Sequence, residues 1–119
     1  MALPTRPVCW ITAAKKEFLG FPEGAQMECF YALDVAAAGA KADIAKPMHG
    51  MGSGVFEIAL RFQGDAYRVV YAVQIGEDIW VIDAFQKKSK KGVKTPQRDI
   101  DRIKNRLKWL KEELKEERK

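Results

Sequence analysis

Five lysines fall within ten residues in the stretch Gln86-Lys87-Lys88-Ser89-Lys90-Lys91-Gly92-Val93-Lys94-Thr95, directly after an apolar run. Crowded ammonium groups repel one another and lose side-chain entropy when ordered, so the cluster gains little as a stabilising device and much opposite phosphates. The bland reading is a solvated loop kept for solubility. Arg61 and Arg68, on the strands that precede the run, argue against it, because a guanidinium on a sheet face needs a carboxylate or an anion to meet its planar fork. Glu57 stands four residues before Arg61 on the same strand face, and it either pairs with Arg61 or serves as a general base. His49, beside Gly50, Gly52 and Gly54, is a further candidate proton shuttle, against the plain alternative of an exposed loop histidine.

The elements that must position these groups are read from periodicity. Val8-Cys9-Trp10-Ile11 is a short β-forming run, and Thr12 offers a cap for a helix from Ala13 to about Gly20. Pro22 suits the first turn of a second helix, with Gly39 as its stop. Met27, Phe30, Tyr31 and Val35 fall on one side of this helix, and Ala36, Ala37 and Ala38 allow close approach of a neighbour. From Val55 the period becomes two. Phe56, Ile58, Leu60 and Phe62 alternate with Glu57, Ala59 and Arg61; after a turn at Gly64-Asp65, Tyr67, Val69, Tyr71 and Val73 alternate with Arg68, Val70, Ala72 and Gln74. A turn at Gly76-Glu77-Asp78 leads into Ile79 to Phe85, apolar almost throughout and so read as a central strand. After Thr95-Pro96, Ile100, Ile103, Leu107, Leu110 and Leu114 form one helical stripe, which packs on the sheet or, as the alternative, joins a homodimeric coiled coil. Trp109 lies away from the stripe, and the charged tail from Lys111 is expected to fray. The fold class is therefore α+β: an N-terminal strand and a helical hairpin packed on a mostly antiparallel β-meander, with a C-terminal helix, in one domain over residues 1–119.

Composition narrows the partners. A chain of 119 residues with 47% apolar and 31% charged residues can bury a core without a disulfide scaffold. The net charge of +5 conceals a split, since residues 1–83 carry seven basic and ten acidic residues and residues 84–119 carry fourteen and six. Such asymmetry points to a polyanionic partner. No apolar run has the length of a secretory signal or a membrane span, so the expected location is the cytoplasm. Cys9 and Cys29 lack CxxC spacing and are read as free buried thiols; with one histidine there are too few ligands for zinc. The glycine-rich stretch lacks the Gly-Lys-Ser/Thr of a P-loop, so no cofactor is expected.

Taken in order, Trp10-Ile11, Lys15-Lys16-Glu17-Phe18, Phe21-Pro22, Gly54 to Arg61, Tyr67-Arg68-Val69-Val70-Tyr71, Ala84 to Ser89 and Lys94-Thr95-Pro96 resemble the RelE/ParE toxin superfamily, and most of all its HigB-like, phage-related branch. The likeness covers nearly the whole chain. It implies the toxin of a toxin-antitoxin system, neutralised by a cognate antitoxin of helix-turn-helix type and cleaving mRNA on the ribosome without a metal. The implied reaction is attack of a ribose 2′-OH on the adjacent phosphodiester to give a 2′,3′-cyclic phosphate. It needs a proton acceptor, cations for the transition state and a proton donor for the leaving oxygen.

Carried over by position, Arg68 corresponds to the strand arginine that contacts the scissile phosphate, Arg61 to the basic residue on the preceding strand, and Lys87 and Lys88 to basic residues after the last core strand. Lys90, Lys91, Lys94 and His49 then fall to RNA binding. Many HigB-like relatives have histidine before the Ala-Phe pair. Here Asp83 stands there, so a carboxylate either takes over that task or the position is not catalytic. Two alternatives share the same resemblance: a ParE-like gyrase inhibitor that cleaves nothing, and a non-toxic phage-derived domain that binds nucleic acid or protein.

Overall fold

The computed structural model describes residues 5–87 and 95–117. They fall into two compact units, residues 1–88 and residues 89–119. The first unit holds β1 (Val8–Trp10), α1 (Thr12–Phe18), α2 (Glu23–Ala37), β2 (Ala45–Pro47), β3 (Val55–Phe62), β4 (Asp65–Ala72) and β5 (Ile79–Lys87); the second holds α3 (Gln97–Glu117). The five strands form one sheet in the order β1-β5-β4-β3-β2. Only β1 and β5 run parallel; the other pairings are antiparallel. The architecture is the α+β arrangement expected, with β5 flanked by β1 and β4 as its apolar run requires.

Local chemistry explains the connections. The β3–β4 hairpin turns at Gln63 and Gly64, both at positive φ (52° and 86°), the condition for a two-residue turn whose twist matches the strands. Strand β1 passes directly into α1: the Ile11 amide still donates to Val81 O, while the Ile11 carbonyl accepts from Lys15 N. The helix therefore begins at Thr12, without the side-chain cap expected of that residue. Arg6 donates to the carbonyls of Val73 (2.6 Å), Glu77 (2.6 Å) and Asp78 (3.0 Å), which ties the N-terminal segment to the β4–β5 connection. Strand β2, an edge strand of three residues ending in proline, was not anticipated.

One face of the sheet meets the helical hairpin. Ile58, Leu60, Tyr67, Val69, Tyr71, Ile79, Val81 and Ala84 pack with Ala14, Phe18, Phe21, Ala25, Cys29, Ala32, Leu33 and Ala36. The Trp10, Phe18, Phe21 and Tyr67 rings form a chain with centroid separations of 4.9, 5.4 and 4.7 Å, linking β1 to β4 through α1. Helix α2 buries its small residues; Met27 and Tyr31 face solvent, with Tyr31 67% exposed, while the half-exposed Phe30 ring packs edge-on against Phe18 and Trp10. Cys29 is buried, and burial pushes its thiol up to about 12; Cys9, on the edge strand β1, is only half-buried, contrary to expectation.

Helix α3 continues to Glu117, past the point where fraying was expected at Lys111. Residues 111–117 are all lysine, glutamate or leucine, each a good helix former, and Lys108 and Glu112 stand at a favourable i,i+4 spacing. No helix among the described residues is long and apolar enough to cross a membrane.

Because α2 packs through alanines, enlarging one of them should harm the fold more than removing an exposed aromatic. Ala32→Leu is expected to cost about 1–3 kcal/mol by overpacking, whereas Tyr31→Ala should stay within about 0.5 kcal/mol. Urea unfolding of both variants measures the difference.

Candidate functional site

The second face of the sheet carries the charges. Strand β3 contributes Glu57, Ala59 and Arg61, and β4 contributes Ala66, Arg68 and Val70. The register sets Glu57 opposite Val70, Ala59 opposite Arg68 and Arg61 opposite Ala66. Strict alternation from Ile79 would turn Asp83, Phe85 and Lys87 toward the helices. A register shift prevents this: Tyr71 pairs with Val81 and Val70 with Asp83, so Ile82 is an extra residue in β5. Beyond this bulge the phase reverses. Ala84 joins the helix-facing core, while Asp83, Phe85 and Lys87 stand across from Val70, Arg68 and Ala66. The strand also runs two residues beyond Phe85, so Lys87 is held by the sheet.

Glu57, Arg68 and Lys87 are thereby brought together. Arg68 Nε lies 3.7 Å from Glu57 Oε1, with the two side chains 11% and 17% exposed. The Glu57 ion pair thus runs diagonally across strands to Arg68, where the sequence suggested Arg61 on the same strand; four residues along a strand span about 13 Å, while diagonal neighbours are about 7–8 Å apart. Arg68 Nη1 donates to Tyr67 O at 3.2 Å, but the buried Nε makes no hydrogen bond among the described residues. Lys87 is 7% exposed. Burial lowers its pKa from the ordinary 10.5, the Arg68 cation lowers it further, and the Glu57 carboxylate opposes both. Ala59 and Ala66, set across from the charged side chains, leave room for them.

The remaining candidates are placed differently. Arg61 is exposed on the same face, toward the end of β3. Asp83 is 1% exposed and accepts a hydrogen bond from Ala84 N at 2.9 Å. His49 is exposed in the connection before β3, and the six steps from Val55 to Arg61 put about 20 Å of strand between the two ends. Lys88, Lys90, Lys91 and Lys94 lie outside the described residues. The tyrosines flanking Arg68 turn the other way, into the core, where burial pushes Tyr71 up to about 12. Among the described residues no three His, Cys, Asp or Glu side chains converge as a metal site would require.

Residues 16–108 match the family described as phage derived protein Gp49-like (DUF891). The chain belongs to this Gp49-like family. The match contains the whole sheet from β2 to β5, and with it every member of the Glu57, Arg68 and Lys87 cluster. A free-state arginine-to-alanine double mutant of E. coli toxin RelE is similar in structure to this Gp49-like chain. The TM-score is 0.58 at 18% identity, over 72% of this chain and 87% of the other, so the fold is of the RelE type. The toxin-antitoxin complex RelBE2 from Mycobacterium tuberculosis matches at a TM-score of 0.49 and 14% identity, over 71% of this chain and 94% of that one. No curated protein matches the chain.

The opposed influences on Lys87 make the cluster measurable. In an NMR titration Lys87 should ionise below 10.5. Arg68→Gln removes a neighbouring cation and should move that pKa up; Glu57→Gln removes the opposing anion and should move it further down. The same pKa in all three proteins would contradict this geometry.

Proposed function

We propose that this Gp49-like protein is the toxin of a toxin-antitoxin pair and an endoribonuclease acting on mRNA at the ribosome. The observation that carries the reading is the convergence of a guanidinium, an ammonium and a carboxylate on one sheet face, in a chain with a RelE-type fold. Cleavage of RNA through its own 2′-hydroxyl needs those three kinds of group. Glu57 accepts the 2′-OH proton as the oxygen attacks the neighbouring phosphorus. Arg68 carries the charge that builds on the non-bridging oxygens, a task for which its planar fork is better suited than an ammonium. Lys87, with its pKa already lowered, gives a proton to the departing 5′-oxygen as the P–O bond breaks. The products are a 2′,3′-cyclic phosphate and a free 5′-hydroxyl.

Arg61, exposed on the same face, holds an adjoining phosphate. Lys88, Lys90, Lys91 and Lys94, which follow Lys87 in the sequence, are assigned to RNA binding by their charge, and His49 contacts RNA at a distance from the reacting bond. Asp83 positions β5 through its bond to Ala84 N and takes no proton from substrate. An antitoxin with acidic and apolar segments would complement a surface of this charge.

Induced expression without an antitoxin should stop growth, with cut mRNA recovered from ribosomes. Arg68→Ala should lower cleavage about 10²–10³-fold, and Arg68→Lys should not restore it, with circular dichroism checking that each variant is folded. Growth arrest with intact mRNA and a DNA-damage response would select gyrase inhibition instead, and unimpaired growth at full expression would remove toxicity altogether.

A further inference from the structure

Helix α3 separates its arginines from its lysines. Arg98, Arg102 and Arg106 recur every four residues and, with Asp101, Asn105 and Trp109, form one open, shallow side of the helix. Lys104, Lys108, Lys111 and Lys115 occupy a different side, all exposed. Charge for solubility would need no such sorting. The two cations differ in chemistry: a guanidinium offers a flat, weakly hydrated fork matched to phosphate oxygens, while an ammonium stays solvated.

This side of the helix has a further mark of a binding surface. Trp109 is 52% exposed, a costly position for an indole unless a flat partner covers it. The acidic groups of the same turns are already engaged: Asp99 accepts from Arg102 Nη2 at 2.7 Å, and Asp101 accepts from Gln97 Nε2 at 2.9 Å. The ion pair offsets the Asp99 charge and takes up one arm of the Arg102 fork, whereas the neutral Gln97 amide leaves Asp101 its charge. Successive arginines rise about 6 Å along the axis, comparable with the step between neighbouring phosphates of an extended nucleotide strand. Trp109 follows one turn after Asn105 and Arg106.

We propose that the Arg98, Arg102, Arg106 and Trp109 face of α3 binds single-stranded RNA. The arginines meet successive phosphates, Trp109 stacks on an unpaired base, and Asn105 reaches a base edge. An unpaired strand is required, since bases stacked in a duplex present no free face to an indole. The choice of RNA over DNA rests on the ribonuclease reading above; the phosphate and stacking chemistry does not depend on cleavage.

The test is fluorescence anisotropy of the full-length protein with a labelled 2′-O-methyl RNA 12-mer, which cannot be cut because its nucleophile is blocked. The same DNA sequence and a poly-glutamate peptide are run beside it. Arg98→Gln should weaken RNA binding about tenfold and reduce the salt slope by about one, and Trp109→Ala should weaken it about tenfold. Trp109→Phe should keep most of the affinity, and the charge-matched Lys111→Gln should change it less than about twofold. Equal losses from Arg98→Gln and Lys111→Gln with none from Trp109→Ala would overturn the proposal, leaving only diffuse charge. Tight binding of the acidic peptide that these variants abolish, with RNA unaffected, would overturn it in favour of a protein partner, and tighter binding of DNA would overturn the choice of RNA. Because the oligonucleotide cannot be cleaved, failure of the ribonuclease reading in the growth experiment leaves this measurement independent.

Discussion

The polar chemistry of the sheet depends on one extra residue. Ile82 is the bulge that changes the phase of β5, and without it Lys87 would lie on the helix-facing side with Tyr67 and Tyr71. With it, a single strand supplies Ile79 and Val81 to the core before the shift and Ala84 after it, while Asp83, Phe85 and Lys87 join the face of Arg68 and Glu57. A bulge disrupts the ladder locally, and such irregularities recur where a side chain must be re-aimed. The hydrogen bond from Ala84 N to Asp83 Oδ1, in the next residues of the strand, satisfies both a buried amide and a buried carboxylate oxygen at that point.

Once the phase is set, electrostatics do the rest. Arg68 and Lys87 are two cations held close together on one side of a sheet, an arrangement that costs energy in the absence of an anion. Glu57 offsets part of that cost, and the 3.7 Å separation is longer than a hydrogen bond. Among the described residues the buried Nε of Arg68 has no hydrogen-bond partner. Leaving such a group unsatisfied costs about 1–3 kcal/mol.

Much of this architecture was legible in the amino-acid sequence, and its gaps have physical causes. Period-two alternation revealed β3 and β4 because each has one core-facing side, and Gly64 marked their turn. The same logic failed for β5, where a nearly continuous apolar run shows no phase and so hides a bulge. That is why Asp83 and Lys87 could be named as candidates but not assigned to a face. The pairing of Glu57 with Arg68 is not visible in the sequence, because spacing displays neighbours along a strand and not diagonals across it. On α2 the conspicuous Met27, Phe30 and Tyr31 drew attention, yet the close contact with the sheet is made by alanines, whose small size sets the packing distance. Strand β2 has too few residues to show a period.

The central claim is that this sheet face cuts RNA through the substrate's own 2′-hydroxyl. The most direct measurement is the chemistry of the ends: mRNA bound to ribosomes is incubated with the purified protein, and the fragments are examined by mass spectrometry. A 2′,3′-cyclic phosphate on the upstream fragment and a 5′-hydroxyl on the downstream one are predicted. Fragments ending in a 3′-hydroxyl and beginning with a 5′-phosphate would contradict the account.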